Sequence, residues 1–164
     1  MAEIAHYNPE EVTVLFAGAA HIDGFADDTF ITISKDQQIF TVHETSDGVV
    51  GRTYRNSGVY TVRITLMSTS DSNQIFTHAV RADELTKLAK FPLIIKDQLG
   101  GTLFFSATSW LETIPETSYS TGIGTRQWTI KCSQATLNVG GNENDTSGSE
   151  DFLNTVLGLA RGLL

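Results

Sequence analysis

From Tyr60 to Leu66 every second residue is apolar: Tyr60, Val62, Ile64 and Leu66 alternate with Thr61, Arg63 and Thr65. Side chains of an extended strand point to opposite faces in turn, so this stretch offers one face to a core and the other to water. The same period of two runs through most of residues 12–139. Val12, Val14 and Phe16 alternate, Ile31 and Ile33 flank Thr32, and Phe40 and Val42 bracket Thr41. Phe91, Leu93 and Ile95 lead into a Gly100-Gly101 turn and then the run Leu103 to Phe105 and Trp110, the pattern of another hairpin. The expected class is mainly β.

Two segments carry helical periodicity instead. Ile75, Phe76, Ala79, Ala82, Leu85, Leu88 and Ala89 recur at spacings of three and four, with Ser72 or a neighbour as cap and Pro92 as the limit. Phe152, Leu153, Val156, Leu157, Ala160 and Leu164 form a second apolar stripe after a polar stretch. The expected organisation is therefore a β domain over 1–139, a linker over 140–150 and a C-terminal amphipathic helix over 151–164. Between Cys132 and Ala135 the apolar positions switch from even to odd, which calls for a bulge or break near Ser133 and Gln134. Residues 115–124 read as a turn-rich loop.

Residues 43–66 pose the functional question. Ser46-Asp-Gly48 and Asn56-Ser-Gly58 are turn signals, and they delimit strands near 38–45, 49–55 and 59–67, two successive hairpins. The middle strand holds Gly51, Arg52, Thr53 and Arg55, too polar for a core, so it is expected to project from the body. An exposed β edge invites aggregation unless pairing with a neighbour is its purpose.

Composition and motifs narrow the chemistry. With 11 Lys and Arg against 19 Asp and Glu, the chain carries a net charge of −8 and should repel nucleic acid. No apolar run approaches the roughly 20 residues that cross a bilayer, and the start MAEIAHYNPEE lacks the features of a secretory signal. His6, His21, His43 and His78 have no metal-ligand spacing, and the single cysteine, Cys132, sits in an alternating apolar series as a small hydrophobe. His21 and Asp23 could share a strand face as an acid/base pair, a common arrangement on half-exposed strands. Arg52, Tyr54 and Arg55 are a small basic-aromatic cluster, but Glu44 and Asp47 beside them favour a mixed-charge protein contact over a nucleic-acid reader. Neither an enzyme nor a cofactor is expected. Asn144-Asp-Thr146 is formally a sequon and is read as part of the linker.

The order of these elements carries a resemblance. A strand, a long polar hairpin, the VYTVRITL strand, the helix SNQIFTHAVRADELTKLA, then FPLIIKDQLGGTLFFSATSWLETIPE and RQWTIKC resembles the tail tube proteins of contractile-tailed bacteriophages over roughly residues 10–140. IIKDQLGG followed by an aromatic strand and W-x-x-x-x-P is its most specific part.

That resemblance implies a β-sandwich or small barrel with one flanking helix and a projecting hairpin. It implies homohexameric rings stacked into a hollow tube, with four strands per subunit in a continuous barrel around the channel and a hairpin reaching the next ring. Carried onto this chain, Thr41, Thr61, Arg63 and Thr65 become channel-lining candidates. Glu44, Asp47, Arg52, Tyr54 and Arg55 become residues of the arm between rings, with Glu44 or Asp36 available to make the lining acidic. The implied partners are further copies of itself, a tail sheath protein, baseplate or initiator and tail terminator proteins, a tape measure protein, and DNA in transit without specific binding. The implied place is the virion tail, assembled in the host cytoplasm, with no membrane insertion. The same architecture also serves as the tube of a type VI secretion system or a phage-tail-like bacteriocin, and a non-polymerising capsid decoration or binding module is the alternative of another class.

Overall fold

The computed structural model describes residues 6–141 and 147–162, the latter with side-chain surroundings from 154 onward. Residues 142–146 of the expected linker, with its sequon, Leu164, and the side chains of Phe152 and Leu153 thus lie outside the described residues, and residues 147–150, expected as linker, are already helical. The strands are β1 (Val12–Phe16), β2 (Ala20–Ile22), β3 (Ile31–Lys35), β4 (Phe40–Glu44), β5 (Val50–Tyr54), β6 (Tyr60–Met67), β7 (Phe91–Asp97), β8 (Leu103–Thr113) and β9 (Thr125–Asn138). The helices are α1 (Ser72–Thr86) and α2 (Ser147–Gly162). Seven strands form one antiparallel sheet in the order β2-β1-β7-β8-β9-β6-β3, while β4 and β5 pair only with each other. The expected class holds: mainly β, one flanking helix, a projecting hairpin and a C-terminal helix.

The alternating residues place the core. Val14, Phe16, Val62, Ile64, Leu66, Leu93, Phe104, Trp128 and Ile130 are all buried on one side of the sheet. Residues 23–30 carry the chain from one edge strand to the other and bond to β6 on the way, Ala26 N donating to Thr65 O at 3.0 Å and Met67 N to Gly24 O at 2.8 Å. The sheet thereby curls around its core.

Helix α1 closes one end of that core. Phe76 is fully buried, meeting Phe16 edge-on at 5.3 Å and Trp128 at 5.3 Å between ring centroids. Trp128 Nε1 donates to Asn73 Oδ1 at 2.9 Å, so the one polar atom of that ring is satisfied by the helix it packs on. Ser72 Oγ accepts from Asp23 N at 3.0 Å and lies 3.2 Å from Asp23 Oδ1, tying the helix start to the end of β2. The helix is shorter than its apolar pattern. Lys87 adopts a left-handed conformation (φ 56°) and ends it before Leu88, and both Leu85, in the last turn of the helix, and Leu88, beyond it, are exposed. Ser72 is inside the first turn and does not cap; Ser70 Oγ accepts from its N–H at 3.2 Å.

The phase switch expected near Ser133 and Gln134 is present, and β8 shares it. Gln134 takes φ 51°, and burial passes from Trp128, Ile130 and Cys132 to Ala135. On β8 it passes from Phe104 and Ser106 to Ser109 and Leu111, so Ser106 still faces Ala135 and Ser109 still faces Cys132. Both strands turn over together and their ladder survives. Buried Ser106 Oγ contacts Ser133 O at 2.9 Å across this point, and Ser109 Oγ donates to Phe91 O where β7 and β8 slip register. Each hydroxyl satisfies a carbonyl that the irregular ladder would leave bare. Cys132 is fully buried, and burial pushes its thiol up to about 12.

On the outer face of the sheet, Lys131 Nζ donates to Asp36 Oδ2 and to Thr61 Oγ1, both at 2.7 Å, and Thr61 Oγ1 donates to Asp36 Oδ1. Thr61 is buried by this cluster and does not face free water as its phase suggests. Chiefly through the Lys131 hydrogen bond and then the Thr61 hydroxyl, Asp36 is held below the usual carboxylate range. A lowered carboxylate favours the folded state above the unfolded-chain value of about 3.9, and the advantage fades as pH falls below it. Asp36→Asn should therefore lower Tm by a few degrees at pH 7, with the gap to wild type closing toward pH 3; thermal unfolding across that range checks this.

Candidate interaction surface: the β4–β5 arm

Residues 36–58 rise from the end of the β3–β6 pair as one ribbon. Asp36 N donates to Val59 O at 3.1 Å and Arg55 N to Ile39 O at 2.8 Å, so three steps on the outgoing strand match four on the return. The extra residue lies between Arg55 and Val59, where Gly58 O accepts from Ala135 N at 3.1 Å. There is accordingly no β5–β6 hairpin: β5 pairs with β4, and β6 pairs with β3 and β9. The projecting element is larger than the sequence suggested, because β4 leaves the body together with β5.

At the tip, Gly48 (φ 80°) takes the left-handed turn and donates to Thr45 O at 2.9 Å, while Thr45 Oγ1 accepts from Val49 N at 3.2 Å. Register then sorts the side chains, since directly opposed residues share a face. Phe40 opposes Tyr54, Val42 opposes Arg52 and Glu44 opposes Val50. The Phe40 and Tyr54 rings lie 5.5 Å apart, and the Arg52 guanidinium sits 4.4 Å over Phe40. Exposure is 42% for Phe40, 67% for Val42, 64% for Val50 and 61% for Tyr54, so this face is apolar and uncovered in the single chain.

The five arm residues named from sequence are thus brought onto one ribbon. Glu44, Arg52 and Tyr54 share the apolar face, Asp47 is at the tip, and Arg55 is at the base with its guanidinium 3.3 Å from Gln37 Oε1. Phe40 and Val42 complete this exposed face and were not among the arm residues named from sequence, because alternation marks an apolar face without saying whether the core covers it.

The four channel candidates separate. Thr61, Arg63 and Thr65 lie on the outer face of β6, in register with Lys131, Thr129 and Gln127 of β9. Thr41 belongs to the arm, opposite Thr53. Asp36 is neutralised by Lys131, leaving Arg63 as an exposed charge on that face. Asp23, considered with His21 as an acid/base pair, instead helps dock α1. Among the described residues no group of His, Cys, Asp or Glu could hold a metal ion, and no helix is long and apolar enough to cross a membrane.

A seven-stranded curled sheet, one helix across its end and a protruding ribbon can be compared with known proteins. A chain in the structure of the anti-feeding prophage cap, the tube-terminating cap, superposes with a TM-score of 0.54 at 13% identity, over 85% of this chain and 95% of that one. A chain of the PVC sheath–tube complex, an extracellular contractile injection system in its extended state, gives 0.54 at 12% identity over 80% and 90%. This is a tail-tube-like fold. In sequence, the chain is 28% identical to structural protein ORF10 of Pseudomonas phage KPP10 over 160 residues, 93% of this chain and 92% of that protein. No protein-family model matches it.

Proposed function

We propose that this chain is a virion structural protein whose copies form hexameric rings, and that these rings stack into the inner tube of a contractile tail. The observation that carries this reading is the arm: a ribbon that contributes nothing to its own core yet exposes Phe40, Val42, Val50 and Tyr54 on one face. Exposed aliphatic and aromatic side chains on a free β ribbon favour aggregation unless a defined neighbour covers them. In the tube, Glu44, Asp47, Arg52, Tyr54 and Arg55 sit at the contact with the adjoining ring. The polar outer face bearing Thr61, Arg63 and Thr65 turns to the channel.

Function is then mechanical. A sheath protein contracts around the rigid tube, the tube is driven through the host envelope, and DNA passes along a wall that binds it weakly. Copies of the chain, the sheath, a baseplate or initiator, a terminator and a tape measure protein are the partners, and no catalytic step is involved. Likeness to a phage structural protein and to chains of sheath–tube assemblies supports this reading. The equal likeness to a tube-terminating cap supports a second one, in which the protein forms a single ring at the end of the tube.

Sedimentation velocity over a concentration series distinguishes the two. A tube protein passes from small species to ever larger polymers, whereas a terminator stops at one ring. A monomer at every concentration, with or without tail assembly intermediates as template, contradicts both. Raising salt to about 1 M, where the Debye length is about 3 Å, should have only a modest effect on polymers held by apolar contact and β pairing.

A further inference from the structure

The curled sheet leaves its core open at one mouth. Between β1 and β7 on one side and β3 on the other is a cleft of about 620 Å³, with Val12, Phe30, Ile31, Ile33 and Ile95 among its lining. All but Ile95 of these are only partly buried. The charged residues of the cleft are all acidic: Asp27, Asp28 and Asp97.

The chain leaves the body at this cleft. Gly101 N donates to Gly141 O at 2.9 Å, and Gly140 N donates to the hydroxyl of Thr102, a cleft residue, at 3.2 Å. The glycines are needed for so close an approach, since a Cβ on Gly140 would stand 2.6 Å from the Gly101 backbone. Residues 142–146 then connect to α2 and can span at most roughly 20 Å. On α2, Val156, Leu157 and Leu159 are 43%, 54% and 67% exposed; its two acidic residues, Glu150 and Asp151, fall in its first half, and Arg161 in the last turn is its one basic residue. Val156, Leu157 and Ala160 continue the helical apolar stripe begun in sequence by Phe152 and Leu153.

We infer that the cleft between β3 and β1–β7 receives the apolar face of α2 from a second copy of this chain, with Arg161 meeting the acidic residues of the cleft. One copy therefore holds both an open apolar cleft and an amphipathic helix, tethered at the edge of the cleft, whose described side chains from residue 154 onward are exposed in their own chain. Exchange between neighbours around a ring covers both features on every copy, as in a head-to-tail contact that closes by rotation. The inference rests on the ring reading above, which brings neighbours within reach of the tether. It gives the helix a task different from that of the arm: the arm contacts the adjoining ring, and α2 staples neighbours within a ring.

The test is a cysteine cross-link between copies. One copy carries Ile33→Cys and an affinity tag, the other Leu157→Cys, and buried Cys132 is left in place. The two are co-expressed, oxidised under assembly conditions, and examined by non-reducing gel and electron microscopy. A disulfide-linked dimer of the two variants is expected, with a ladder of multimers from a chain carrying both substitutions. Removing residues 147–164 should raise the concentration at which polymer first appears by roughly tenfold or more, with the circular dichroism of the β domain unchanged. Polymers that carry no cross-link, or a cross-link formed only within single chains, overturn the inference and leave the tube reading standing. No cross-link and no polymer overturns both.

Discussion

Replacing residues 40–54 by Asn-Gly should leave a folded protein that no longer polymerises. Arg55 N already donates to Ile39 O at 2.8 Å, so a two-residue turn between Ile39 and Arg55 continues the ladder without opening it. No residue of β4 or β5 belongs to the buried core, and both strands pair only with each other. The far-ultraviolet circular dichroism of the body and its Tm, within a few degrees, should therefore be retained. If the proposed role of the arm holds, polymer should be absent at concentrations where wild type assembles, because the exposed face of Phe40, Val42, Val50 and Tyr54 is gone. Tubes persisting in the shortened protein would remove the role given to the arm, and an unfolded body would show that the ribbon supports the core after all.

Phe76→Ala should have the largest effect on stability of any single truncation in α1. The ring is fully buried between Phe16 and Trp128, and its loss leaves a cavity where the helix meets the sheet. Such truncations cost about 3–5 kcal/mol, a large part of the stability of a domain this size. The hydrogen bond from Trp128 to Asn73 holds the helix in place over the cavity, so the site has little freedom to collapse. Chemical denaturation should show the loss as a lower midpoint, while Leu85→Ala, a residue 86% exposed on the same helix, should change the midpoint little. Equal effects from the two substitutions would contradict the placement of α1.

Much of this was legible in the sequence, because period-two alternation and burial share one physical cause. The faces of β1, β6 and β7, the hairpin at Gly100-Gly101, and the phase switch at Gln134 were all readable as residues that must or must not meet water. The failures are equally physical. Phe40 and Val42 alternate as a core strand does, yet they lie exposed on a ribbon outside the core, and alternation does not distinguish the two. Asn56-Ser-Gly58 reads as a hairpin turn, but the return strand passes through it to pair with β3, a pairing that packs the partly buried Ile31 and Ile33 against the core. Leu85 and Leu88 continue the period of α1, and only the left-handed backbone at Lys87 shows where the helix stops. The Asp36–Thr61–Lys131 cluster joins residues far apart in sequence and gives no local signal.

The most direct test of the account is negative-stain electron microscopy of the concentrated protein, alone and with tail assembly intermediates as template, with class averages analysed for rotational symmetry. The account predicts sixfold rings with a central hole that stack into tubes, and the loss of stacking in the arm-shortened protein. Small particles without rotational symmetry under both conditions would contradict it.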